Sequence, residues 1–129
     1  MFEPPPHLVL ELDEEVTAPT RARQALTGLI GVAAGTNLAA ALLMTSELVA
    51  NVVQLGHTSR MSAWQVPEQH AVRVEIFDRA KEVPTLPRRK DPHPHGASGR
   101  GLRIVDALAT HRGVTLEEHG KSMWFELGA

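Results

Sequence analysis

The chain has 129 residues, no cysteine and a formal net charge of -2. This length suits one domain with a single core, and the lack of cysteine excludes disulfides and thiolate metal sites. The small negative charge argues against a protein that binds nucleic acid directly, which needs an excess of basic residues. No apolar run is long enough to predict a membrane span. We therefore expect a cytoplasmic protein whose partners are proteins or small molecules.

Hydrophobic periodicity predicts the elements of the first part of the chain. Period-two alternation is typical of strands, and apolar spacing of three to four residues is typical of helices. Thr20 is a predicted N-cap. The predicted elements are a strand over 7–13, helices over 21–34 and 38–55, and an antiparallel hairpin of strands over 60–66 and 71–77.

Two polar residues stand in the apolar second helix. Glu47 and Asn51 are four residues apart, so they project in nearly the same direction, on a stripe shared with Leu43, Met44 and Leu55. Buried polar groups need partners, and a bound Mg²⁺ with phosphate oxygens and waters would supply them. The alternative is a partly exposed Glu/Asn pair at the rim of a core helix.

The strand over 71–77 predicts the position of a carboxylate. Alternation places Val72, Val74 and Ile76 on one face, and Asp78 follows on that same face as the strand ends. A carboxylate at the rim of the core can accept a hydrogen bond from the exocyclic amine of adenine. Alternatively, Asp78 is a turn residue whose oxygens accept from local backbone N–H groups.

The segment 79–98 has four prolines, several basic residues and no periodicity. It is predicted to be either a functional lid that closes over phosphate or a solvated loop. Gly99-Arg100-Gly101-Leu102 then opens a third helix, which is predicted to end at Gly113. Glycines at a helix entrance let an anion approach the free N–H groups, although such turns also occur without a ligand.

The last hairpin is predicted over 114–118 and 122–127, with a turn at His119-Gly120-Lys121. Met123, Phe125 and Leu127 share one face, and Trp124 points the other way.

Four motifs, in order along nearly the whole chain, resemble those of the GHKL ATPase superfamily. The small bacterial anti-sigma factor serine kinases of the actinobacterial single-domain type match best. The motifs are Glu47-Leu48-Val49-Ala50-Asn51 (N box), Asp78 with Pro84 six residues later (first glycine box), Gly99-Arg100-Gly101-Leu102 (second glycine box) and Gly120-Lys121-Ser122-Met123-Trp124 (closing strand).

This resemblance implies roles for particular residues. Glu47 would be the catalytic carboxylate, Asn51 would bind Mg²⁺ and Asp78 would read adenine. Two positions depart from the family pattern, because Leu55 stands where histidine is frequent and Ala80 where serine or glycine is usual. The other implied nucleotide-binding residues are Ala80, Pro84, Gly99, Arg100, Gly101, Leu102 and Ser122.

The resemblance also implies an α/β fold over residues 1–129. Three helices would cover one face of a mixed, mostly antiparallel five-stranded sheet in a two-layer sandwich, the Bergerat ATP-binding fold, with a lid at about 79–98. The implied function is an ATP-binding regulator, an anti-sigma factor serine/threonine kinase that uses Mg-ATP to phosphorylate a small antagonist protein. The alternatives are a nucleotide-dependent partner-binding module without phosphotransfer and a ligand-free structural domain. The implied partners are a sigma factor, the antagonist and a second copy of the chain.

Overall fold

The structure is a computed structural model that describes residues 5–30, 37–79 and 103–128. A 3₁₀ turn, Pro67–Gln69, joins the second strand to the third. No helix within these ranges is long and apolar enough to cross a membrane. The elements are β1 (Leu8–Leu12), α1 (Ala18–Ile30), α2 (Leu38–Gln54), β2 (Ser59–Val66), β3 (Ala71–Asp78), a helix α3 described over residues 103–108, β4 (His111–Glu117) and β5 (Gly120–Leu127).

The five strands form one sheet in the order β1-β2-β3-β5-β4. All four neighbouring pairs are antiparallel, so the sheet, which was predicted to be mixed and mostly antiparallel, is antiparallel throughout. Helices α1 and α2 pack against one another and against one face of this sheet, which we call the helix-facing side. The predicted α/β two-layer sandwich is confirmed.

The core lies between the helices and the helix-facing side of the sheet. Alternate residues of β3 and β5 point into it because successive strand residues face opposite sides. Removing this apolar surface from water is the main stabilising contribution to the fold. Fully or nearly fully buried core residues include Leu26, Met44, Leu48, Val49, Met61, Val74, Ile76, Met123 and Phe125.

Helix α1 begins at Ala18, three residues before the predicted start. The backbone N–H of Ala18 donates to Glu15 O at 3.0 Å, and that of Glu15 donates to Asp13 Oδ1 at 3.0 Å. Thr20 therefore lies inside the helix, and the prediction that it is the N-cap was wrong. Pro19 is compatible with this start because the first helical turn needs no intrahelical N–H donor.

Helix α2 agrees closely with its predicted bounds. It begins after Asn37, whose Oδ1 accepts a hydrogen bond from the backbone N–H of Ala40 at 3.1 Å and so caps one of the free donors of the first turn. Leu55 is the C-cap, and Gly56 follows with a φ of +80°, a conformation that glycine adopts without strain. These two ends fix the register of the helix that carries Glu47 and Asn51.

The third helix does not extend to Gly113, as the sequence predicted. It stops at residue 108, and β4 begins at His111, so Gly113 lies inside a strand. A Cβ at Gly113 would come within 2.7 Å of Trp124 Cζ2, so glycine makes room there for the indole ring. The Nε of Arg112 donates to Asp106 Oδ1 at 2.7 Å and ties α3 to β4.

The turn before β5 consists of residues 118 and 119 and not of His119-Gly120-Lys121, as the sequence predicted. Gly120 and Lys121 therefore belong to β5.

Candidate functional site

The two polar residues of α2 differ in environment. Asn51 is 6% exposed, whereas Glu47 is partly exposed and Leu43 and Leu55 are more than 40% exposed. Asn51 therefore lies within the apolar face, on the same stripe as buried Met44, and Glu47 lies at its rim. Asn51 is thus buried, as the first interpretation of this stripe requires, and Glu47 is partly exposed, as the second requires.

The amide oxygen of Asn51 has a property that suits a metal ligand. Its Oδ1 is buried and has no hydrogen-bond partner among the residues that the structure describes. Mg²⁺ takes few protein ligands, all oxygens, and completes its shell with phosphate and water. The described ranges contain no cluster of three or more His, Asp or Glu that could hold a metal ion by itself. A single amide oxygen therefore fits Mg²⁺ held jointly with a nucleotide.

Asp78 lies at the end of β3 on the helix-facing side, in line with Val74 and Ile76, as the alternation predicted. It is 2% exposed. Its Oδ1 accepts a hydrogen bond from Lys121 Nζ at 2.9 Å. The carboxylate is thus held by a side chain of the neighbouring strand β5.

Lys121 was not among the residues predicted for the site. It is 1% exposed and stands directly opposite Asp78 in the register of β3 and β5. Residues opposite one another in an antiparallel pair point to the same face, so both are on the helix-facing side. The signal was in the sequence, because the alternation of Met123, Phe125 and Leu127 extends back to Lys121.

The same alternation turns Ser122 to the other side of the sheet. Its hydroxyl donates to Glu117 Oε2 at 2.8 Å, on the face away from Asp78. The structure therefore does not bring Ser122 together with Asp78, and Lys121 takes that position. On the other flank of Asp78, Ser59 of β2 is in register with it and is 5% exposed.

Several predicted site residues lie outside the described ranges, and their roles stay predictions. Of the predicted lid, only Arg79 is described, and it is exposed. The residues outside are Ala80, Pro84, Gly99, Arg100, Gly101 and Leu102.

One solved structure similar to this chain is the crystal structure of the RsbU and RsbW domains of Rv1364c from Mycobacterium tuberculosis. The match has a TM-score of 0.68 and 20% sequence identity, and it covers 97% of this chain. The chain spans 32% of the length of that protein. No protein-family model matches the chain, and no curated protein matches it in sequence. The similarity establishes the class of fold, an α/β sandwich like that of this structure.

Proposed function

We propose that this protein is an ATP-binding regulator of the anti-sigma factor class, which uses Mg-ATP to phosphorylate a serine or threonine of a small antagonist protein. The observation that carries the proposal is Asn51, a buried amide whose oxygen lacks a partner among the described residues, one helical turn after Glu47. The four motifs that resemble anti-sigma factor serine kinases support this class. A fold similar to a structure that contains an RsbW domain supports it too.

Each residue has a distinct role in this proposal. Asn51 would contribute an oxygen to Mg²⁺, which when bound neutralises phosphate charge. Asp78 would accept a hydrogen bond from the exocyclic amine of adenine. Glu47, at the rim of the apolar face, would accept the proton of the attacking hydroxyl, because phosphoryl transfer needs mainly positioning and charge stabilisation, with a carboxylate to receive that proton.

Calorimetry with ATP in the presence and absence of Mg²⁺ tests the binding step. Asn51→Ala should abolish Mg²⁺-dependent binding, whereas Asn51→Asp, which keeps a ligand oxygen, should retain it. Gln54→Ala is the control, because Gln54 is an exposed polar residue of the same helix. Equal ATP affinity of the parent with and without Mg²⁺ would remove the metal from the proposal, and equal affinity for ATP and GTP would remove the adenine-reading role of Asp78.

Glu47→Gln tests the chemical step. Glutamine keeps the shape of the side chain but removes its basic form, so nucleotide affinity should change little while the transfer rate falls by roughly 10² to 10⁴. The assay follows labelled phosphate from ATP to a partner protein recovered by affinity purification of the parent and identified by mass spectrometry. Glu14→Gln, at an exposed position, is the control. Undiminished transfer by Glu47→Gln would exclude Glu47 as the base.

A second candidate is a module in which nucleotide binding changes partner affinity without phosphotransfer. The observation that favours it is Leu55, the C-cap of α2, which is 43% exposed and carries an aliphatic side chain where the resemblance leads us to expect histidine. An aliphatic group there neither binds phosphate nor transfers a proton. Retained ATP binding with no labelled phosphate on any copurifying partner would favour this candidate over the kinase.

A further inference from the structure

Three polar residues form a row across the end of the sheet. Ser59 of β2, Asp78 of β3 and Lys121 of β5 are neighbours in register, and all three point to the helix-facing side. Each is at least 95% buried, with exposed fractions of 5%, 2% and 1%. We call this set the polar row. It follows directly on the apolar positions Met61, Ile76 and Met123 of the same three strands.

The ionic part of the polar row is not explained by stability. Moving an ammonium and a carboxylate out of water is costly, and a well-packed apolar pair of similar volume usually stabilises a fold as much or more. The hydrogen bond from Lys121 Nζ to Asp78 Oδ1, at 2.9 Å, places a donor directly beside an acceptor. A site with this alternation is chemically suited to a ligand that presents the complementary pair of groups.

We propose that Lys121 is a second base-reading residue, which donates a hydrogen bond to ring nitrogen N1 of adenine while Asp78 accepts one from the exocyclic amine at position 6. This inference rests on the proposed function, since it assumes that the ligand is ATP. Lysine is suited to the role because its ammonium has three donors and no acceptor. One donor on Asp78 fixes the position of the nitrogen, so the side chain is already oriented when the base arrives.

The order of donor and acceptor makes the pair selective. Adenine has a donor at position 6 and an acceptor at N1, whereas guanine has an acceptor at position 6 and a donor at N1. With Asp78 at position 6, guanine would place its oxygen against a carboxylate and its N1–H against an ammonium. Both contacts are mismatched, and buried polar groups without partners oppose binding strongly. A carboxylate alone would provide only half of this discrimination.

Ser59 is an independent indication of a ligand at the polar row. Its hydroxyl oxygen is buried and has no hydrogen-bond partner among the described residues. Buried hydroxyl groups are normally paired, because an unpaired one loses its hydrogen bonds to water and gains none. The amine of adenine has two hydrogens, and after one is donated to Asp78 the other can be donated to a hydroxyl or a water next to it. A bound base would thus satisfy the row.

The test compares three nucleotides in the presence of Mg²⁺: ATP, 1-deaza-ATP, in which a C–H replaces N1, and 7-deaza-ATP, which keeps N1. The parent protein should bind 1-deaza-ATP about 10- to 100-fold more weakly than ATP, the range for a lost hydrogen bond to a charged group. It should bind 7-deaza-ATP nearly as well as ATP. In Lys121→Met the ATP to 1-deaza-ATP affinity ratio should fall to about one, because the donor is gone.

Taking the ratio of two nucleotides within one variant cancels any loss of folded protein in Lys121→Met. Glu126→Gln is the matched control, since Glu126 is on the same strand but on the opposite face, and its ratio should equal that of the parent. If the parent binds ATP and 1-deaza-ATP equally well, Lys121 does not read the base and the proposed function is untouched. If the parent binds no ATP at all, both proposals fall together.

Discussion

Strand β3 takes part in ionic contacts on both of its faces, and the two sets differ in their exposure to water. On the helix-facing side, Asp78 and Lys121 form an ion pair whose side chains are 1–2% exposed. On the outer face, the face turned away from α1 and α2, Arg73 contacts the carboxylates of Glu75 and Glu126 with side chains that are 18–27% exposed. The same strand therefore carries a buried ion pair on one face and partly hydrated ion pairs on the other.

On the outer face, Arg73 of β3 contacts Glu75 of the same strand and Glu126 of β5, and we call these contacts the outer clamp. The Nε of Arg73 donates to Glu75 Oε2 at 2.8 Å, and its Nη1 donates to Glu126 on β5. The guanidinium also lies 4.1 Å from the ring centre of Trp124. Partly hydrated contacts of this kind add modestly to stability, because water and salt screen the charges.

The buried pair of Asp78 and Lys121 differs from the outer clamp in its hydration. Its charges have lost their water, so the cost of burying them offsets much of their attraction, and such a pair is weak evidence for a stabilising role. The outer clamp is adequately explained by the joining of β3 to β5. The polar row needs another explanation, and recognition of a ligand provides one. Measuring the free energy of unfolding and the ATP affinity of the same variants tests this difference between the two faces.

The largest effect is expected at the buried pair. Asp78→Ala should lower the free energy of unfolding by about 3–5 kcal/mol, because it leaves the Lys121 ammonium buried without its carboxylate. The double variant Asp78→Leu with Lys121→Met should regain most of that loss, since two apolar side chains fill the space without charge. Urea denaturation followed by circular dichroism gives both values.

The double variant also distinguishes a structural role of the ion pair from a role in binding ATP. It should fold stably and yet fail to bind ATP in calorimetry, which no purely structural role of the pair predicts. If the double variant is as unstable as Asp78→Ala, the ion pair is needed to hold β3 against β5, and the contrast between the two faces disappears.

Two glycines offer a matched comparison of the next size. A Cβ at Gly120 would lie 2.1 Å from the backbone oxygen of Asp78, whereas a Cβ at Gly113 would meet the side chain of Trp124 at 2.7 Å. Backbone cannot yield as a side chain can, so Gly120→Ala should cost about 3 kcal/mol or more and Gly113→Ala about 1 kcal/mol. Urea denaturation measures both. Equal losses would mean that the indole on the outer face is held as rigidly as the backbone beside the polar row.

The sequence predicted most of what periodicity controls and less of what neighbouring strands decide. Alternation in β3 correctly placed Asp78 on the buried face, and the apolar run correctly placed α2. The predicted end of the third helix was wrong. Gly113 is typical of a helix stop in sequence, but it lies in β4 opposite Trp124 of β5, where the indole ring needs the space of the missing side chain. Lys121 was missed because the sequence analysis placed it in the hairpin turn, whereas it belongs to β5 and its burial depends on Asp78, its partner on β3.

The smallest expected effect is at the outer clamp, and salt distinguishes it from the buried pair. Arg73→Lys keeps the charge but loses the planar fork that spans Glu75 and Glu126 and stacks on Trp124, so it should lower the free energy of unfolding by about 1 kcal/mol at low ionic strength. In 1 M salt the screening length falls to about 3 Å, and the electrostatic part of this loss should shrink. The coupling between Asp78 and Lys121, measured by a double-mutant cycle in the same two salt concentrations, should change far less because water and ions do not reach it. A coupling that falls with salt as steeply as the Arg73 effect would mean that solvent enters the polar row, and the pair would then belong to the same class as the clamp on the outer face.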